Sequence, residues 1–353
     1  MSILWADGFD GYGNFTGLQV NNGPWFDYFI GLAWGFNTAY GRRTGSYGIG
    51  SGNSGHCKKY FGNNLATVIW GSGVYRLGSY SAASSQAGFL RFFSGATAQV
   101  SLCYGGGASN KLVVRRGDYN GTVIGTTDTD FLQNTWRFIE IKVYFHASAG
   151  TVEVKFDGVT VLSLTGQNTD PAGTGYGTLF HIEHTSTTNY YDDMYLVDTN
   201  GSINNDFLGD VRIDAYRPTS DGSYETFSLS TGSDMYALID EYTPNNTDYV
   251  QGDSVNEVFT TKITSTEKTG PDGVVLDILG VVVTNFTYNP EGGGIRKVKP
   301  ICKSSASEEL GAEYTLTTAY TAALAVLELN PNGDVAWTSD TINTAEFGLK
   351  VTA

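Results

Sequence analysis

Apolar and polar residues alternate with a period of two along most of this chain, and no apolar set recurs at i, i+3 and i+4 over three turns. The pattern therefore predicts short strands rather than helices. The clearest case is 135–145, where Phe138, Glu140, Lys142 and Tyr144 alternate with Arg137, Ile139, Ile141, Val143 and Phe145. One face is apolar and the other mixed, as a half-buried antiparallel strand requires. Residues 150–162 read as a hairpin turned by Asp157-Gly158, a pair suited to the positive φ angles of a tight hairpin. Strands are also predicted at 66–75, 88–93, 99–104, 111–116, 122–127 and 191–197, with an opening strand from Ile3 that breaks at Asp-Gly.

The pattern changes between Asn189 and Gly222, where a strand ending in an Asn/Gly/Asp/Pro-rich passage cannot form one regular element. This segment marks a boundary: a domain over 1–199, an ordered bridge over 200–222, and a smaller β-rich assembly or docking domain over 223–353. Phe207 and Leu208 are apolar within the bridge, and a flexible linker would not spend them, so they are expected to dock and fix the junction. Residues 211–216 alternate as a strand, which Arg217-Pro218 and Ser220-Asp221-Gly222 should end. A short helix is expected at 235–240, and strands at 257–263, 280–288, 294–302, 314–320 and 347–351.

Composition agrees with an all-β chain: 45 glycines, 13% aromatic residues and only 16% charged residues in 353 suit strands joined by tight turns. Charge sharpens the division. Residues 1–199 hold 14 acids and 12 bases, whereas 200–353 hold 22 acids and 9 bases, for a total of −15. Without a basic stripe such a chain does not gather phosphates, so nucleic acid is not expected as a partner. No apolar run reaches the length of a membrane span, and Met1 to Asp7 has no basic n-region, so folding in a host cytoplasm without a signal peptide is the expectation. Cys57, Cys103 and Cys302 are widely spaced and odd in number, which reads as buried free thiols.

Two resemblances follow from particular residues. The strand Trp136-Phe138-Ile139-Glu140-Ile141, the hairpin Val152 to Gly158, an apolar return strand and a closing Tyr191-Asp192-Asp193-Met194-Tyr195 strand resemble the concanavalin A-like jelly-roll sandwich of lectins, glucanases and laminin-G modules. The resemblance implies that the first and last strands pair, setting residues 5–10 beside 192–195. In the second half, FLGDVRI from Phe207, GGGIRKVK from Gly292 and PNGDVAWTSDTINTAEFGLKV from Pro331 look like the tail half of virion structural proteins of tailed bacteriophages. That implies a non-enzymatic virion component, such as a capsid decoration, head-fibre or tail-appendage subunit, homo-oligomeric and in contact with other virion proteins. The alternative is a carbohydrate-binding adhesin for host surface glycans.

Candidate chemistry is sparse. The ExDxE-type strand that glucanases of this shape use for paired carboxylates is absent; Glu140, Glu153, Asp157 and Glu183 stand singly and read as solvated strand-face residues, so no catalytic residue is assigned. In His181-Ile182-Glu183-His184, His181 and Glu183 share one face and the two histidines point apart, which suits an exposed strand end better than a metal site. His56 reads as a loop residue. Asp7, Asp10, Asp192 and Asp193 converge if the end strands pair, and laminin-G-like modules hold Ca²⁺ among such oxygens; turn capping is the competing role. No other cofactor is expected. Sugar binding calls for aromatic platforms, with Trp25, Tyr28, Trp34 and Tyr40 as candidates. Self-association is expected through Val282 and Val283 rather than through the acids, since like charges repel.

Overall fold

The computed structural model describes residues 2–12, 15–16, 28–30, 34–51, 55–77, 88–105, 110–184, 188–241, 247–270, 273–292, 294 and 296–353, with the backbone alone at 15–16, 28–30, 51, 184 and 188. The chain divides into two compact units, Met1–Asn21 with Trp25–Asp214, and Asn22–Pro24 with Ala215–Ala353. Both are built almost wholly of antiparallel strands.

The first unit is a two-sheet jelly-roll sandwich. Its larger sheet runs Val159–Gln167, Gly150–Phe156, Trp136–Tyr144, Thr67–Leu77, Thr188–Asp198, Gly48–Ser51, Trp34–Asn37 and Phe15–Thr16, with Ile3–Asp7 pairing beside Thr188–Asp198. The opening and closing strands do pair, Trp5 opposite Leu196 and Asp7 opposite Met194. The second sheet runs Thr122–Thr126, Leu112–Arg116, Thr97–Tyr104, Gly88–Ser94, Gly177–His184, Gly55–Leu65 and Tyr28–Ile30. Alternation sends Phe180, Ile182, Leu90, Phe92 and Leu102 into the core, where Phe180 meets Trp5 and Trp70 across the sandwich. Such aromatic packing accounts for much of the apolar stabilisation of a two-sheet core. The hairpin turn is as expected, with Asp157 at φ 50° and Gly158 at φ 80°. All three cysteines are free and buried.

The bridge departs from its sequence pattern. Residues 211–216 are not a strand, and Pro218–Glu225 is one, despite Pro218 and Gly222. Tertiary contacts override the alternation: the Ile213 N–H donates to Asp193 Oδ1 at 2.9 Å, and Gly8 lets the Ile213 carbonyl approach where a Cβ would stand 2.0 Å from its oxygen. Residues 206–209 lie on the outer face of the larger sheet. The Leu208 N–H donates to the Tyr195 hydroxyl at 3.2 Å and the Gly209 N–H to Glu140 Oε1 at 2.8 Å, while the Phe207 ring lies 4.0 Å from Lys155 Nζ.

In the second unit a sheet runs Pro218–Glu225, Val258–Ile263, Glu346–Val351, Lys297–Ser304 and Ser307–Leu310, with Tyr314–Thr315 beside Lys297–Ser304. Val281–Thr287 pairs with Thr321–Leu327 instead. Val283 is 9% exposed and packs with Trp337 and Leu327, so the interface expected there is corrected for this residue: its side chain is spent in the core of its own chain. Val282, on the same strand as Val283, pairs with Val326 of Thr321–Leu327. The expected helix at 235–240 shrinks to a 3₁₀ turn at Tyr236–Leu238.

Candidate functional site

The outer face of the seven-stranded sheet gathers chemistry that sequence spacing does not show. Register places Lys58 opposite His181, His181 opposite Arg91, Arg91 opposite Ser101, and Ser101 opposite Arg115. Directly opposed residues in antiparallel strands share a face, so these five side chains form one transverse row. The row on one side holds Tyr60, Leu179 and Phe93, and the row on the other holds His56 and Glu183.

A loop completes the face. Gly117, at φ 81°, adopts the left-handed turn that only glycine takes without strain, and its carbonyl accepts from Ser101 Oγ at 2.5 Å. The loop carries Asp118 to Arg91, Nη1 to Oδ1 2.7 Å, and lays the Tyr119 ring over Gly88, where a Cβ would sit 1.6 Å from the ring. The Arg91 guanidinium is 4.2 Å from the Tyr119 ring centre and 5.0 Å from that of Phe93, and its Nε donates to Glu183 Oε1 at 2.5 Å. The Tyr119 hydroxyl is buried without a hydrogen-bond partner among the described residues.

His181 lies against two rings, stacked on His56 at 4.4 Å and tilted to Phe93 at 4.2 Å. Its Nδ1 lies 3.6 Å from Glu183 Oε1 and makes no hydrogen bond among the described residues. Burial, reinforced by His56, Arg91 and Lys58, pushes the His181 imidazole down to about 3; burial with Arg91 and Lys58 pushes His56 down to about 4. Both rings are therefore neutral at physiological pH and can accept a hydrogen bond. Glu183 is 2% exposed, and burial raises its carboxyl to about 7 against the opposing pull of Arg91. Beside these groups opens a cavity of about 330 Å³ lined by Lys58, Tyr60, Phe93, Leu179 and His181 with Gly95 and Ala96. An apolar floor with a few convergent polar groups is the usual construction of a small-ligand site, and perturbed titratable groups in a cleft mark functional positions.

Most of this was misjudged from sequence. His181 and Glu183 do share a face, but Glu183 is buried rather than solvated, and so is Glu140, which is fully buried and bonded to Tyr195. His56 is a strand residue stacked on His181, not a loop residue. Asp157 and Glu153 are held by Arg137 and Thr160. Of the aromatic candidates, Trp34 is 1% exposed and is corrected to a core residue. Tyr40 spends one ring face on Tyr190 at 4.3 Å. Trp25 and the Tyr28 side chain lie outside the described residues, although the Tyr28 backbone pairs opposite Lys58.

The four candidate metal carboxylates are gathered around the end strands, with their oxygens engaged. Asp7 accepts from the Phe9 N–H at 2.7 Å and the Tyr12 hydroxyl at 2.6 Å. Asp10 accepts from the Tyr47 N–H at 2.6 Å. Asp192 accepts from the Arg42 N–H at 2.7 Å and from Ser46 Oγ at 3.1 Å. Asp193, at φ 50°, pairs with Arg43. Arginines and backbone donors hold the oxygens that a hard cation would need, and among the described residues no three acidic, histidine or cysteine side chains form a metal-holding group.

No family model and no curated protein matches the chain. Solved structures similar to it include an endo-β-1,4-glucuronan lyase from Trichoderma reesei, at 11% identity over 53% of this chain and 94% of that one, TM-score 0.39. A carbohydrate-binding module, CBM66, from Bacillus subtilis matches at 10% identity over 48% and 94%, TM-score 0.33. The catalytic domain of a glycoside hydrolase family 131 protein from Coprinopsis cinerea matches at 15% identity over 60% and 99%, TM-score 0.32. The expectation of a non-enzymatic chain is corrected by this set, since the lyase and the hydrolase are enzymes. The comparisons bring no phage or virion evidence.

Proposed function

We propose that the outer face of the seven-stranded sheet recognises a carbohydrate. The observation that carries the reading is the cavity of about 330 Å³ whose lining joins Phe93 and Leu179 to Lys58, Tyr60 and His181. A sugar ring has apolar C–H faces and a rim of hydroxyls; the apolar floor takes the former and the lysine, phenol and imidazole take the latter. Tyr60 is 47% exposed, so its removal tests binding without hollowing the core. On a glycan array, Tyr60→Ala and Lys58→Ala are expected to lose roughly tenfold or more of the affinity of the native protein, equivalent to about 1.4 kcal/mol. Retention of full capture by both variants overturns the assignment.

Turnover of the bound glycan is a second reading, supported by the neutral His181 imidazole whose Nδ1 lies 3.6 Å from Glu183. An imidazole lowered to about 3 acts here as a hydrogen-bond acceptor that orients a substrate hydroxyl rather than as the group that carries its proton near neutrality. Mass spectrometry of captured oligosaccharides after incubation should show shortened products with the native chain and none with His181→Ala. As for setting, the tail-half motifs of residues 207–222, 292–299 and 331–351 support a place on a phage particle, where the same face would meet host glycans. Their detection by mass spectrometry of purified particles checks it.

A further inference from the structure

Glu183 occupies a position that the binding reading does not explain. Its carboxylate is buried against the Arg91 guanidinium, which Tyr119 and Phe93 hold from either side. Arg91 lies beside the cavity, in the same sheet row as Lys58 and His181, both of which line it. While Glu183 is charged, it and Asp118 together neutralise Arg91, the cation beside the cavity that Lys58 lines. We propose that Glu183 is a proton-operated gate for acidic sugars: ionised, it retains Arg91, and protonated, it releases Arg91 to a ligand carboxylate. An acidic saccharide then binds with net uptake of one proton. This rests on the carbohydrate reading above and adds to it the ligand class and the control of affinity.

The surrounding groups isolate Glu183 as the residue that responds. From Gly55–Leu65 the face receives His56, Lys58 and Tyr60; from Gly177–His184, His181; from Gly88–Ser94, Arg91; from Thr97–Tyr104, Cys103; from Leu112–Arg116, Arg115; and from the following loop, Asp118 and Tyr119. On the core side the Tyr191 hydroxyl donates to the Glu183 carbonyl, not to its carboxyl. The two imidazoles stay neutral above about 4, and burial lifts the Cys103 thiol to about 12. Glu183, raised to about 7, changes charge in the physiological window. Charge balance supports the direction: removing one negative charge from a face holding Lys58, Arg91 and Arg115 favours an anionic ligand, and in a desolvated setting the effect is little screened.

The test uses the full chain on an array carrying uronate oligosaccharides and their carboxyl-reduced counterparts, at about pH 6 and about pH 8. The expected result is capture of uronates over their reduced forms, roughly tenfold stronger at the lower pH, the change that one group titrating near neutrality produces. Titration calorimetry of a captured uronate in two buffers of different ionisation enthalpy should then report uptake of about one proton. Glu183→Gln should bind uronates independently of pH at the strength of the acid side; the calorimetric measurement on the native chain stands if that variant does not fold. Capture of neutral glycans alone, or uronate binding that is unchanged with pH and takes up no proton, overturns the gate and leaves the carbohydrate reading intact. Capture of no glycan at all overturns both.

Discussion

Single side chains on this molecule are sorted by what they touch rather than by what they are. Trp34 and Tyr60 are both aromatic, yet Trp34, expected as a sugar platform, is 1% exposed, whereas Tyr60, which was not, is 47% exposed. Trp34→Ala is therefore expected to cost about 3–5 kcal/mol of stability, the usual consequence of emptying a large core site, measured by urea unfolding, while leaving glycan capture by the folded fraction unchanged. Tyr119 gives the opposite kind of case. Its ring covers Gly88 and Arg91, but its buried hydroxyl has no hydrogen-bond partner among the described residues. A buried donor left unpaired carries a desolvation cost of about 1–3 kcal/mol. Tyr119→Phe should accordingly be neutral or stabilising in the same unfolding measurement, and a clear loss of stability would show that the hydroxyl is satisfied.

At the level of elements, the bridge behaves as part of the first unit as far as Asp214. Its wording was legible as turn-forming with two apolar residues to dock, and Phe207 does lie against a lysine of the larger sheet. What could not be read was the partner. Glu140 looked like any polar position on a half-buried strand, whereas the bridge buries it fully and uses it to accept from Gly209 while Tyr195 accepts from Leu208. Backbone N–H groups held in this way exchange slowly. In Tyr195→Phe the Leu208 amide loses its acceptor and the Glu140 carboxyl a donor, so hydrogen exchange at Leu208 and Gly209 should accelerate markedly. Unchanged protection would mean that the segment is held by other contacts.

For the whole molecule, the unusual feature is how many buried carboxyls of the first unit are raised. Burial lifts Asp7 and Asp10 to about 6 and Glu183 to about 7, and pushes Asp192 up further with the help of the neighbouring Asp193 charge. A carboxyl whose folded value exceeds its unfolded one binds its proton more tightly in the folded state. Its contribution is complete below the unfolded value and is lost as pH rises through the folded one. The first unit should therefore melt at a higher temperature near pH 5 than near pH 8, with the fall beginning near the unfolded value of about 4 and flattening as pH passes the folded values of about 6 to about 8. In the second unit Glu346 is lowered, despite burial, by hydrogen bonds from Ser223 and Thr260 and by Lys303, so its contribution runs the other way and fades below its unfolded value. Differential scanning calorimetry across this range would show one transition falling with pH; a transition that rises instead would refute the assignment of these acids.

Period-two alternation and the Asp157-Gly158 turn were determined by the sequence, because they depend on local geometry and on which residues can face a core; the pairing of the opening and closing strands was expected only from the jelly-roll resemblance. Tertiary structure alone decided the site. Lys58, Arg91, Ser101, Arg115 and His181 fall into one row only through the register of five strands, and sequence spacing carries no information about register between strands so far apart in the chain. Whether a carboxyl such as Glu183 is solvated or buried depends in turn on the chain laid around it, here an arginine packed between two rings. Desolvation, and with it the chemistry of the face, is a property of that assembly rather than of any residue within it.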